Sequence, residues 1–306
     1  MVKNGYIQTT SGFSKMMFRW IYIIAGKADG QTDRQGDLTD HVYNARADYA
    51  DQYTAPYSDL ELRHFEEQSE YLYKYTDKAL VFNFGMGGFG DFFHIPGPSL
   101  EEPRGIRNLE TWLMAPYEHP EYVKEIFQMQ YEVALEDLKL AYQAMGDRIE
   151  VVAVSGTDFG TQLGPMVSVD LYREFFKPLH IKLHDWIHTN TPWKVFFHTC
   201  GSVHQFFDDF IEAGVDCINP VQISAAGMDP QTLKDKYGEQ LVFWGGTVDP
   251  QSTMINGTPE EVYETAKKNI EIFNNNGGFI ASHIHNVQPY VPVENLIAFI
   301  DACTGR

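Results

Sequence analysis

From Ala79 onward the chain alternates short apolar runs with longer segments of helical period, and this alternation narrows the choice of fold more than any other feature. Ala79 to Phe84, Val151 to Ser155, Trp193 to His198, Cys217 to Val221, Leu241 to Gly246 and Gly278 to Ser282 read as strands. Helices are expected between them: Pro120 to Met145, Val169 to His188 with a kink or split at Pro178, Val203 to Ala213, and Pro230 to Tyr237. Thr258-Pro259-Glu260-Glu261 is a capping box opening a helix to about Asn274, and Pro292 to Asn295 opens the last helix. Strands buried on both faces and joined by helices imply a parallel sheet. At about thirty residues per unit, the count favours a closed (β/α)8 TIM-type barrel over an open sheet. One domain over residues 1–306 is the simplest expectation, with an irregular, aromatic-rich first hundred residues.

Charge excludes several partners. The formal net charge is −19, which argues against nucleic acid, anionic membrane or a polyanionic substrate. The chain has 3 cysteines, which fits a reducing compartment without a disulfide framework. No signal peptide is evident, and Phe18 to Ala25 is too short to span a bilayer, so a cytoplasmic protein is expected.

A (β/α)8 barrel carries its active site at the strand C-termini. Polar residues collect at those ends: Asp158 and Gln162, His198 and Cys200, Asn219 and Gln222, Thr247 and Asp249, His283 and His285. Two residues two positions apart on a strand point to the same face. His198 and Cys200 therefore offer an imidazole and a thiol to a soft divalent ion such as zinc. A catalytic zinc needs a third protein ligand. His283 and His285 stand at the end of the last strand with the same one-residue gap, and the spacing leaves the choice between them open. Cys217 reads as core and Cys303 as inert.

Gly85-Met86-Gly87-Gly88-Phe89-Gly90 matches a dinucleotide fingerprint, but Pro96, Gly97 and Pro98 follow where a helix should start. These glycines are read as a tight turn or a close backbone approach. Gly12 to Ile24 reads as a helix packing on the barrel. Phe89, Phe92 and Phe93 would add an apolar wall for a substrate.

Several segments resemble signatures of the uroporphyrinogen decarboxylase superfamily. They are Asp158-Phe159-Gly160-Thr161-Gln162, His198-Thr199-Cys200-Gly201, Asn219-Pro220-Val221-Gln222, Trp244-Gly245-Gly246 and His285-Asn286-Val287-Gln288-Pro289 with Pro292-Val293-Glu294-Asn295. The superfamily holds tetrapyrrole decarboxylases and corrinoid-dependent methyltransferases, and the methyltransferase branch is the more similar. Its zinc-dependent members carry a His-x-Cys pair at the place of His198 and Cys200. Their third ligand is a cysteine, whose place is taken here by His285.

The resemblance thus implies zinc on His198, Cys200 and His285. It also implies methyl transfer from a small methylated compound, foremost an aromatic methyl ether, to the Co(I) corrinoid of a separate carrier protein docked across the barrel top. Methylated thiols and amines are further donors, and a homodimer is an open option. In that reading Asp158 and Asp249 orient substrate or shuttle a proton. Gln162, Asn219 and Gln222 hydrogen-bond the substrate, while Trp244 and Phe93 wall its ring. The alternatives are a metal-free decarboxylase using Asp158 and His285, and a ligand-binding barrel without chemistry. True decarboxylases grip carboxylates with an Arg-Gln-Ala-Gly-Arg segment, whereas Arg19 stands alone near this N-terminus.

Overall fold

The computed structural model describes residues 7–9, 44–49, 56–92 and 105–306. Phe93 and the expected helix over Gly12 to Ile24 lie outside the described residues. The chain divides into two compact units, one of residues 1–157 and 174–194, the other of 158–173 and 195–306. Both are α/β with parallel strands.

In the first unit, β1 (Ile7–Thr9), β2 (Ala79–Asn83) and β3 (Val151–Ser155) run parallel, with Ile7 opposite Ala79 and Val81 opposite Val151. The 26-residue helix Pro120–Met145 packs its apolar face inward through Val123, Phe127, Ala134, Leu138 and Met145. Trp193 closes that core and meets Tyr142 edge-on at 5.4 Å. Among the described residues the glycine turn after β2 opens no helix, which the dinucleotide fingerprint would need. A Cβ on Gly87 would lie 2.8 Å from both Leu183 and the Val154 carbonyl, so close approach explains that glycine.

One expectation about helices is corrected and one is met. The region before β2 is not wholly irregular: Asp59–Tyr75 is a 17-residue helix, opened by a capping box between Ser58 and Glu61. The split expected at Pro178 is present: the run from Val169 breaks into separate segments, and a regular helix restarts at Lys177. Pro178 sits in the first turn of helix Lys177–Asn190, where its missing N–H costs nothing. The irregularity lies upstream, as a π-helical turn at Tyr172–Phe176.

The second unit carries β4 (Lys194–His198), β5 (Cys217–Asn219), β6 (Val242–Trp244) and β7 (Phe279–Ile280), again parallel. Phe196 lies opposite Cys217, His198 opposite Asn219, and Trp244 opposite Ile280. One sheet face presents Phe197, Ile218 and Phe243, all fully buried. Phe206 and Phe210 pack on Phe197 and Phe159 from that side. The opposite face carries Phe196, His198, Asn219 and Trp244, each only partly buried. The strand period of two thus separates an aromatic core from a more accessible polar face. Pro220 ends β5 early, because it cannot donate to a ladder.

The capping box at Thr258 and Glu261 opens helix Pro259–Phe273 as expected. The last helix, Val293–Thr304, is tied down by Asn295, whose amide donates to the carbonyls of Met254 and Gly257 at 3.1 and 2.8 Å. Cys217 is buried at 4% exposure, in keeping with a core role. Cys303 packs against the cluster of Val248, Met254, Val262 and Phe299. Among the described residues no helix is long and apolar enough to cross a membrane.

Candidate functional site

The site is built where two backbone segments run together. The Phe159 N–H donates to Thr199 Oγ1 at 2.9 Å, the Gly160 N–H to the Cys200 carbonyl at 3.1 Å, and the Ser202 N–H to the Thr161 carbonyl at 2.8 Å. Asp158 completes this zipper with its side chain: Oδ1 accepts the Cys200 N–H at 2.7 Å. The approach requires glycine on both sides. A Cβ on Gly160 would fall 2.6 Å from Ser202 N, and one on Gly201 would fall 2.3 Å from the Gly160 carbonyl carbon. Gly201 also has φ +88°, in the left-handed region.

His198 ends β4 with its side chain on the accessible face, and its Nδ1 lies 2.7 Å from Asn219 Oδ1. The tautomer follows from the next partner. Asn219 Nδ2 donates to the Trp244 carbonyl at 3.0 Å, and a carbonyl can only accept. Asn219 Oδ1 must then face His198 as an acceptor, so His198 is protonated at Nδ1 and its Nε2 lone pair is free. That lone pair points at Cys200 Sγ, 3.5 Å away.

The ligand atoms of Asp158, His198 and Cys200 all lie within 4.8 Å of one another. Burial holds the His198 imidazole below its ordinary pKa. Asp158 and Asn219 oppose that shift, and the nearby His285 adds to it. Burial pushes the Cys200 thiol up, helped by the Asp158 carboxylate.

The donor set fits zinc. Bonds of about 2.3 Å to sulfur and about 2.0 Å to nitrogen at a tetrahedral angle place two ligand atoms about 3.5 Å apart. His198 and Cys200 already stand at that separation. The Nδ1–H to Asn219 bond is the kind of outer contact that orients a metal-ligating imidazole.

The other expected site residues are placed as follows. His285 is exposed and stands outside the three-member set, near enough to His198 to act on it by charge. His283 is partly buried, and its Nδ1 has no hydrogen-bond partner among the described residues. Gln162 and Gln222 are engaged with the protein itself. Gln222 Oε1 accepts the Gly201 N–H at 2.8 Å, its Nε2 donates to Gln162 Oε1, and Gln162 Nε2 donates to Gln251 Oε1 at 2.8 Å. Asp249 organises its own turn, accepting from Ser252 Oγ at 2.5 Å, Gln251 N at 3.0 Å and Ser224 Oγ at 3.3 Å. Trp244 meets Phe196 edge-on at 4.8 Å, on the same sheet face as His198. Sequence reasoning passed over Gly160, Gly201 and Gln251. The signal for the first two was a glycine directly after Cys200 and another two residues after Asp158.

The family model for uroporphyrinogen decarboxylase (URO-D) matches residues 99–306, about two-thirds of the chain. The chain belongs to the uroporphyrinogen decarboxylase family. The match takes in every residue of the candidate site described above. A curated relative, the methylated-thiol–coenzyme M methyltransferase of Methanosarcina mazei, is 28% identical over 138 residues, which are 45% of this chain and 34% of that protein. The chain thus spans about a third of that relative's length. A solved methyltransferase from Methanosarcina mazei superposes with a TM-score of 0.56 at 16% identity, covering 80% of this chain and 63% of that one. That likeness is one of fold.

Proposed function

We propose that this URO-D family member is a methyltransferase, built as one (β/α)8 barrel domain. It takes a methyl group from a small methylated donor and passes it to the Co(I) corrinoid of a separate carrier protein. The observation that carries the reading is the His198–Cys200 pair, with a free Nε2 lone pair facing a thiol at 3.5 Å. Both similar proteins carry methyltransferase in their names, which supports the class of reaction.

The proposed donor is an aromatic methyl ether. In the transfer the O–CH3 bond breaks as a Co–CH3 bond forms, and the C–O electron pair stays on oxygen as phenolate. Phenolate leaves poorly unless its charge is neutralised as it develops. Zinc, when bound by His198 and Cys200, supplies a Lewis acid for that purpose. The chain's own residues do the rest. Asn219 fixes the imidazole, Asp158 fixes the Cys200 backbone, and Phe196 with Trp244 offers an apolar wall to an aromatic ring. The free thiols fit the cytoplasm.

The test is a substrate screen with a reduced corrinoid carrier, comparing methoxyphenols, methylated thiols and methylated amines. Methyl transfer is expected from methoxyphenols, and Cys200→Ala should lose metal and turnover together. Full activity in Cys200→Ala overturns the zinc reading. Carbon dioxide release from a tetrapyrrole carboxylate, without methyl transfer, would establish instead the decarboxylation for which the family is named.

A further inference from the structure

We propose that Asp158, rather than His285, supplies the third protein donor to the metal, making a His–Cys–Asp centre. The inference rests on the zinc reading above and settles a point which that reading leaves open.

Three observations carry it. First, the side chains that close to within 4.8 Å of one another are Asp158, His198 and Cys200. His285 is exposed and lies outside that group. Second, Asp158 is anchored by the backbone as well as meeting the Cys200 thiol. Its Oδ1 accepts the backbone N–H of Cys200 at 2.7 Å, and a carboxylate has a second oxygen for another partner. That anchor is the backbone of a metal donor, so it sets the carboxylate beside the thiol. Third, the Gly160–Gly201 contact locks the segment carrying Asp158 to the segment carrying Cys200. The centre is then preorganised by backbone geometry, whereas recruiting His285 would require ordering an exposed side chain.

The donor set has a chemical consequence. Thiolate and carboxylate together cancel the charge of a divalent zinc, while a set with two imidazoles and one thiolate leaves it cationic. A neutral centre is a milder Lewis acid than a cationic one. It also leaves the His285 imidazole unligated.

Zinc X-ray absorption on the full-length wild-type chain reads the donors directly. One sulfur and one imidazole per zinc are expected, with oxygen filling the remainder; two imidazoles per zinc would overturn the proposal. Metal analysis and chelator competition on variants give a second reading. Asp158→Asn keeps an acceptor for the Cys200 N–H and should weaken zinc binding by at least about 100-fold with an unchanged circular dichroism spectrum. His285→Ala should keep wild-type stoichiometry and affinity. The reverse pattern, with Asp158→Asn silent and His285→Ala depleted, sinks the carboxylate donor while leaving the zinc mechanism standing. A wild-type chain that takes up no zinc removes both.

Discussion

His198 and Asn219, on neighbouring strands in direct register, are joined by a 2.7 Å hydrogen bond that decides which ring nitrogen carries the proton. The bond works because Asn219 is itself oriented by the Trp244 carbonyl. Asn219→Ala removes the acceptor and frees the ring to take either tautomer. Zinc affinity should fall about 10- to 100-fold, as it does when an outer partner of a metal-bound imidazole is lost. Chelator competition measures this. An unchanged affinity would mean that Asn219 contacts substrate only, which was the sequence expectation.

The Gly160–Gly201 contact predicts a stability loss at a site with no side chain to lose. Gly201→Ala sets a Cβ against backbone carbon and places alanine at φ +88°, and the two effects add. A cost of about 2 kcal/mol or more is expected, from strain of about 1–3 kcal/mol plus the displaced zipper. Urea unfolding of the metal-free chain measures it, separating the effect from lost metal binding.

Asp137 gives the first unit a pH dependence. It is 3% exposed and accepts the Tyr57 N–H at 2.7 Å. Burial raises its pKa to about 6; the Tyr57 amide opposes this, and Glu61 and Glu136 add to it. The folded state therefore holds this proton more tightly than the unfolded chain, whose value is about 3.9. The contribution to stability is fully present below about pH 4 and is lost as pH rises to about 6. Asp137→Asn keeps the acceptor and should abolish that slope. Unfolding midpoints of both proteins between pH 4 and 7 check it; parallel curves would refute the assignment.

Thr258 offers a plainer control. Its hydroxyl accepts the Glu261 N–H while Glu261 returns a bond to the Thr258 N–H at 2.7 Å. Thr258→Ala should cost about 1 kcal/mol of stability, with metal content unchanged.

What could be read from the sequence was local. The Thr258 capping box and the period of Pro120–Met145 are contained in a few consecutive residues, and both were predicted with the observed start. The same capping signature at Ser58 and Glu61 was legible but lay in a stretch dominated by aromatics, and the helix after it was passed over. Asp158 was recognised as a strand-end carboxylate. Its bond to the Cys200 amide spans 42 positions, however, and no periodicity records such a contact. Gln162 and Gln222 were read as substrate ligands because lone amides near a site suggest recognition. Their mutual bond depends on two loops meeting, which only tertiary structure supplies.

That run of amides has a direction. The Gly201 N–H can only donate, so it turns the Gln222 oxygen inward and the Gln222 nitrogen outward, and Gln162 repeats the orientation toward Gln251. A backbone proton beside the thiol thus dictates, three residues away, which end of Gln251 faces the protein. The rim inherits its polarity from the turn beside Cys200, and because the donor is a backbone N–H, any residue but proline at position 201 would hand on the same direction.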